Sequence, residues 1–118
     1  MIPFINEIED IKTQIINKHN PLKIILFGSC AKGIAKENSD IDLCVICDYT
    51  NKKDKLLDML VSIEYSRDVD FIIYRPEEWN KYTEDSGTFA SLIKREGVVL
   101  YGWYSKVSRM VWYTELYQ

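Results

Sequence analysis

The chain has 118 residues, with 15 Lys and Arg against 18 Asp and Glu and a formal net charge of −3 at pH 7. That length is expected to build a single domain around one core, and the mildly acidic balance argues against a general electrostatic grip on nucleic acid or an anionic membrane. Apolar runs such as Ile24-Ile25-Leu26-Phe27 fall far below the roughly 20 residues of a membrane span. Glu7, Glu9 and Asp10 stand where a signal peptide would be apolar, so a cytoplasmic location is expected.

Phe4, Ile8, Ile11 and Ile15 recur at helical spacing behind Pro3, which predicts an amphipathic helix to about Lys18, ended by Asn20-Pro21. Leu22 to Phe27 reads as a buried strand stopped by Gly28. A short helix is expected from about Cys30 to Lys36, then the polar turn Glu37-Asn38-Ser39 and a second strand from Ile41 to Cys47. Leu56, Leu57, Leu60 and Val61 give Lys52 to Tyr65 a helical apolar face. Val69 to Tyr74 is a third strand. Pro76-Glu77-Glu78-Trp79 opens a helix, with Pro at its first position and acids in its first turn. A further helix is expected from Ser86 to Glu96, closed by Gly97, and a fourth strand over Val98 to Tyr101. The fold class expected is α+β, a small mixed sheet flanked by helices. Residues 101–118 form a tail dense in Tyr and Trp, suited either to capping the core or to meeting a partner.

Three cysteines, Cys30, Cys44 and Cys47, are too few and too odd in number for a disulfide scaffold. Cys44-x-x-Cys47 lies within a strand, where alternation sends the two thiols to opposite faces, and no second Cys or His pair completes a zinc site. They are read as buried structural residues. His19, the lone histidine, stands at a helix end where it can meet the helix dipole. The cluster Lys52-Lys53-Asp54-Lys55 is read as a solvated helix start.

Three elements carry candidate chemistry. Gly28 lets the backbone approach a ligand closely where a strand turns into a helix; Ser29 adds a hydroxyl there and, taken alone, is read as the helix N-cap. Gly33 is followed by Ile34-Ala35, so this is not a Walker loop. In Ser39-Asp40-Ile41-Asp42, two carboxylates at i and i+2 on a strand share a face, with Cα atoms roughly 6.5–7 Å apart. Oxygen ligands of that kind suit Mg²⁺. In Asp68-Val69-Asp70-Phe71, a third carboxylate on a neighbouring strand would complete a cluster able to hold two metal ions about 3.5–4 Å apart. Asp68 and Asp70 share a face, so periodicity alone does not choose between them.

Together, Gly28-Ser29, ten intervening residues, Asp40-x-Asp42 and the later Asp70 resemble the signature of the nucleotidyltransferase superfamily with the DNA polymerase beta-like fold. The surrounding Phe-Gly-Ser-x-Ala-x-Gly and Asn-Ser-Asp-Ile-Asp-Leu match it too, and the resemblance runs from the first helix to Tyr101. At this length the chain looks like a minimal nucleotidyltransferase, the type paired with a HEPN-domain protein as toxin and antitoxin. By that resemblance, Gly28, Ser29 and the charge of Lys32 would hold the triphosphate, and Asp40 and Asp42 would bind two Mg²⁺ ions. Asp70 would bind one of them and take the proton of the incoming hydroxyl; it is preferred over Asp68 because the family places its third acid immediately before the apolar run. Cys30 and Lys32 stand where the family often has arginine; Lys32 keeps a charge without the bidentate fork, and Cys30 keeps neither.

The activity so implied is transfer of AMP from ATP to a tyrosine hydroxyl of a HEPN toxin, in complex with that partner. Two other readings are an antitoxin that acts by binding alone, motivated by the aromatic tail, and nucleotidyl transfer to a small molecule. Extension of a nucleic acid is disfavoured by the short chain and its acidic balance.

Overall fold

The computed structural model describes residues 2–102. Its elements are α1 (Ile5–His19), β1 (Lys23–Phe27), α2 (Gly28–Lys32), β2 (Ile41–Ile46), α3 (Lys52–Ser62), β3 (Val69–Tyr74), α4 (Pro76–Thr83), α5 (Phe89–Glu96) and β4 (Val98–Tyr101). The strands form one sheet in the order β3-β2-β1-β4. β1 is antiparallel to both β2 and β4, whereas β2 and β3 run parallel, joined through α3. The sheet is therefore mixed, as expected, because a parallel pair needs a crossover while β1 and β2 do not.

Helices cover both faces. On one side Ile8, Ile11 and Ile15 of α1 and Met59 of α3 pack on Ile24, Leu26, Leu43, Val45, Phe71 and Ile73. On the other, Trp79 of α4 and Ala90 and Ile93 of α5 pack on Ile25, Cys44, Ile46 and Tyr74. Successive strand residues alternate between these two cores, the period of two that a pleated strand imposes. Cys44 belongs to the second core and Cys47 to the first, and all three cysteines are free and buried. Among the described residues no helix is long and apolar enough to cross a membrane.

Three helices differ from expectation at their ends, α2 and α5 for local reasons and α3 through a contact from α1. α2 spans Gly28–Lys32 rather than Cys30 to Lys36, because Gly33 turns left-handed at φ 74 and its N–H returns to Cys30 O. α3 stops at Ser62 rather than Tyr65; Ile63 is extended, and Gln14 of α1 holds the next residue by bonding both Glu64 N–H and Glu64 C=O, each at 2.7 Å. α5 begins at Phe89 rather than Ser86, since Thr88 is its N-cap and accepts from Ser91 N–H at 3.1 Å. Gly97 closes α5 with extended rather than left-handed backbone; glycine is needed because a Cβ would stand 2.5 Å from Ile25 Cγ2 and 2.6 Å from Ile93 O.

His19 does end α1, but not as a charged partner of the helix dipole. Its side chain is 2% exposed. Nε2 lies 2.7 Å from Ser62 Oγ and Nδ1 3.1 Å from Lys55 Nζ, and burial, then the Lys55 charge, hold the ring below its ordinary pKa of 6.5. Within the lysine cluster, Lys52 and Lys53 are exposed at the start of α3, as expected, while Lys55 turns in to His19. Of the aromatic-rich segment, Tyr101 and Gly102 are described; residues 103–118, where the capping or partner-binding expectation falls, lie outside the described residues.

Candidate active site

The parallel register of β2 and β3 sets Ile41 opposite Val69 and Asp42 opposite Asp70. Both acids therefore project from the face that farther along the strands carries Cys44, Ile46, Ile72 and Tyr74, at the end of the sheet where the second core gives out. Asp42 is half-buried and Asp70 exposed. Asp42 is pushed up to about 6, first by burial, then by the charge and hydrogen bond of Asp70, and last by the charge of Asp40.

Asp68 does something else. Its C=O accepts from Ile41 N–H at 2.9 Å and so starts the pairing of the two strands. By register Asp70, not Asp68, stands opposite Asp42.

Gly28 meets this pair from the third side. Phe27, the last residue of β1, is the register partner of Asp42, and the chain then turns sharply with Gly28 at φ +74. A Cβ on Gly28 would overlap Asp42 Oδ2 and stand 3.1 Å from its Cγ, so the backbone must be bare at this point. The glycine and the acid, well separated in sequence, are one packing unit.

Ser29 falls inside the first turn of α2. The N-cap is Phe27, with no side-chain capping bond, so the reading of Ser29 as N-cap is corrected: the turn at Gly28 starts the helix one residue before the hydroxyl. Lys32 pairs with Glu96 of α5 at 3.3 Å, both half-exposed, so its charge is shared with a carboxylate. Cys30 is fully buried; its thiol donates to Asp40 C=O at 3.5 Å, and burial, then the Asp42 charge, push its pKa up. It is a packing residue that touches the site from below.

One residue the motif did not bring forward is Arg67, which bonds the carbonyls of Glu37 and Ser39 in the turn before Asp40. A half-buried arginine with an acid and an aromatic ring near it has no local sequence signature.

Among the described residues no three His, Cys, Asp or Glu side chains stand close enough to hold a metal ion: Asp42 and Asp70 are register neighbours, and the charge of Asp40 bears on Asp42. The donor set nonetheless fits a hard divalent cation. It is all carboxylate oxygen, its two central acids are pressed together against burial and mutual repulsion, and among the described residues none of the three makes an ion pair.

The family described as "Polymerase beta, Nucleotidyltransferase" matches residues 9–103 of the chain. No curated protein matches it. A solved structure described as "Crystal structure of the toxin-antitoxin with AMP-PNP" superposes with a TM-score of 0.52 at 22% identity, covering 92% of this chain and 87% of that one. The likeness is one of fold, and it extends over nearly the whole of both chains.

Proposed function

Because the chain belongs to the polymerase beta nucleotidyltransferase family, we propose that it transfers AMP from ATP to a hydroxyl on a protein partner and releases pyrophosphate. The observation that carries this is the Asp42–Asp70 carboxyl pair packed beneath the bare backbone of Gly28. Asp40, Asp42 and Asp70 are the residues that would hold two Mg²⁺ ions. When bound, these supply charge stabilisation to the phosphates and lower the pKa of the attacking hydroxyl.

Gly28 and Ser29 offer backbone N–H groups, and Ser29 its hydroxyl, to the phosphates; Lys32 adds a cation at the far end of α2. The acceptor oxygen attacks the α-phosphorus, the bond from that phosphorus to the bridging oxygen breaks, and pyrophosphate leaves with the electron pair. Asp70, the exposed member of the pair, takes the hydroxyl proton at a carboxylate oxygen. Catalysis of this kind is positioning and electrostatics rather than covalent chemistry by the protein.

The partner proposed is a toxin, and specifically a tyrosine of a HEPN-domain protein. Support comes from the fold likeness to a toxin–antitoxin structure with AMP-PNP. A cytoplasmic setting agrees with three free thiols. The test is incubation with labelled ATP, Mg²⁺ and the protein encoded beside it. Transfer that disappears in the Asp40→Ala/Asp42→Ala double variant supports the proposal, and no transfer by the wild type overturns it.

A second reading, neutralisation of the toxin by binding alone, is favoured by the pairing of Lys32 with Glu96 and the burial of Cys30, which leave few free cations at the phosphate end. Full neutralisation by the same double variant would select it.

A further inference from the structure

We infer that Arg67 is a positioning residue for the site, holding the turn that delivers Asp40 to the start of β2. The inference rests on the reading of Asp40, Asp42 and Asp70 as metal ligands.

The chain between Gly33 and Ile41 has no helix or strand to shape it. A tight turn holds part of it: Ser39 N–H donates to Lys36 O at 3.0 Å, and Lys36 N–H to Ser39 Oγ at 2.8 Å. Nothing within that turn sets its position against the sheet. Arg67 does so. One guanidinium nitrogen, Nη1, donates to Glu37 O and also lies 3.5 Å from Ser39 O, so it grips the turn at two carbonyls just before Asp40.

The guanidinium is itself fixed from the opposite side. Its Cζ lies 3.5 Å from the centre of the Phe4 ring, and Nε, which is buried without a hydrogen-bond acceptor, stands 3.9 Å from Glu7 Oε2. The side chain is 21% exposed. Arg67 also precedes Asp70 by three residues, on the approach to β3, while the turn it grips is the approach to β2. One side chain therefore ties together the entrances of the two parallel strands that carry the acids, and anchors both to the start of α1. Arginine suits the task because a planar fork can stack on a ring and bond carbonyls at its edge together, which the single ammonium of lysine does not. Groups that orient a ligand set from behind are worth about 10–100-fold in metal affinity.

The test uses the full chain as wild type, Arg67→Leu, Arg67→Lys and Asp42→Asn. Mn²⁺ binding in the presence of a non-hydrolysable ATP analogue is measured by calorimetry, and kcat and KM for ATP are measured with Mg²⁺. The expected result is about a tenfold or greater loss of Mn²⁺ affinity in Arg67→Leu, with kcat lowered and KM for ATP within about twofold of wild type. Should Arg67→Leu fail to fold, Arg67→Lys keeps the charge and the apolar stem and must show the same loss of Mn²⁺ affinity. A folded Arg67 variant with wild-type Mn²⁺ affinity overturns the inference alone, provided Asp42→Asn abolishes that binding. Wild-type protein that binds no Mn²⁺ overturns the reading of the three acids and the inference with it.

Discussion

The backbone of Gly28 lies directly against the carboxylate of Asp42, so closely that a single added methyl group would overlap Asp42 Oδ2. Two halves of the motif thus depend on each other sterically before any ligand is present. Gly28→Ala would have to displace the Asp42 side chain and also hold alanine at φ +74, a left-handed backbone that costs an L-residue roughly 1–2 kcal/mol. The expected outcome is a folded but destabilised protein with transfer reduced more than about tenfold, since a misplacement near 1 Å is enough for such a loss. Thermal melting and turnover on one preparation check it.

Asp42 carries the opposite trade. Its folded pKa of about 6 is raised above the ordinary value of 3.8, so between those values the folded state binds more protons and stability falls as pH rises. At neutral pH an amide should therefore suit the fold better than the carboxylate. Asp42→Asn is expected to abolish transfer while raising stability by about 1 kcal/mol, a figure reduced for solvent screening at a half-buried site. Urea unfolding at pH 7.5 in the presence of chelator is the measurement, and a destabilised variant would contradict the account.

His19 works in the other direction. Its folded pKa is lowered, so as pH falls below 6.5 the unfolded chain takes up the proton first and stability is lost over that window. The groups around the ring are Lys55, Asp58, Lys18 and Ser62. His19→Gln is expected to flatten the decline between pH 7.5 and 5, even if it lowers stability at both. Denaturant midpoints of wild type and variant across that range would show it; parallel curves would rule it out.

All three thiols should be silent in the native protein. Cys30, Cys44 and Cys47 are each 0% exposed, and burial raises the pKa of each. A disulfide-exchange reagent is expected to label none of them rapidly until denaturant is added. Fast labelling of Cys44 and Cys47, or zinc in the purified protein, would restore the Cys-x-x-Cys reading that their placement in two different cores argues against.

Much of this was legible in the chain because it is local. Helix and strand positions follow from apolar spacing, and the Gly-Ser and Asp-x-Asp units are contiguous segments whose spacing is preserved by a strand–turn–strand path. One boundary that slipped was set from elsewhere: Gln14 reaches from α1 to seal the end of α3. Ser29 read as a cap because the turn at Gly28 is not encoded in spacing; a helix start two residues earlier moves the hydroxyl from the cap into the first turn.

The sequence by itself set Asp40 and Asp42 two residues apart at the start of a strand and offered a further acid on a later one. Whether that acid was Asp68 or Asp70 it left open, because period two places both on the same side. Only the tertiary structure shows which of them stands opposite Asp42: the parallel register of β2 and β3 puts Asp70 there. In the same way Lys32 found Glu96, and Arg67 found two carbonyls and a ring, across distances along the chain that no periodicity encodes. Alternation tells which way a side chain points; which neighbour it meets is settled by how separate segments are laid against each other.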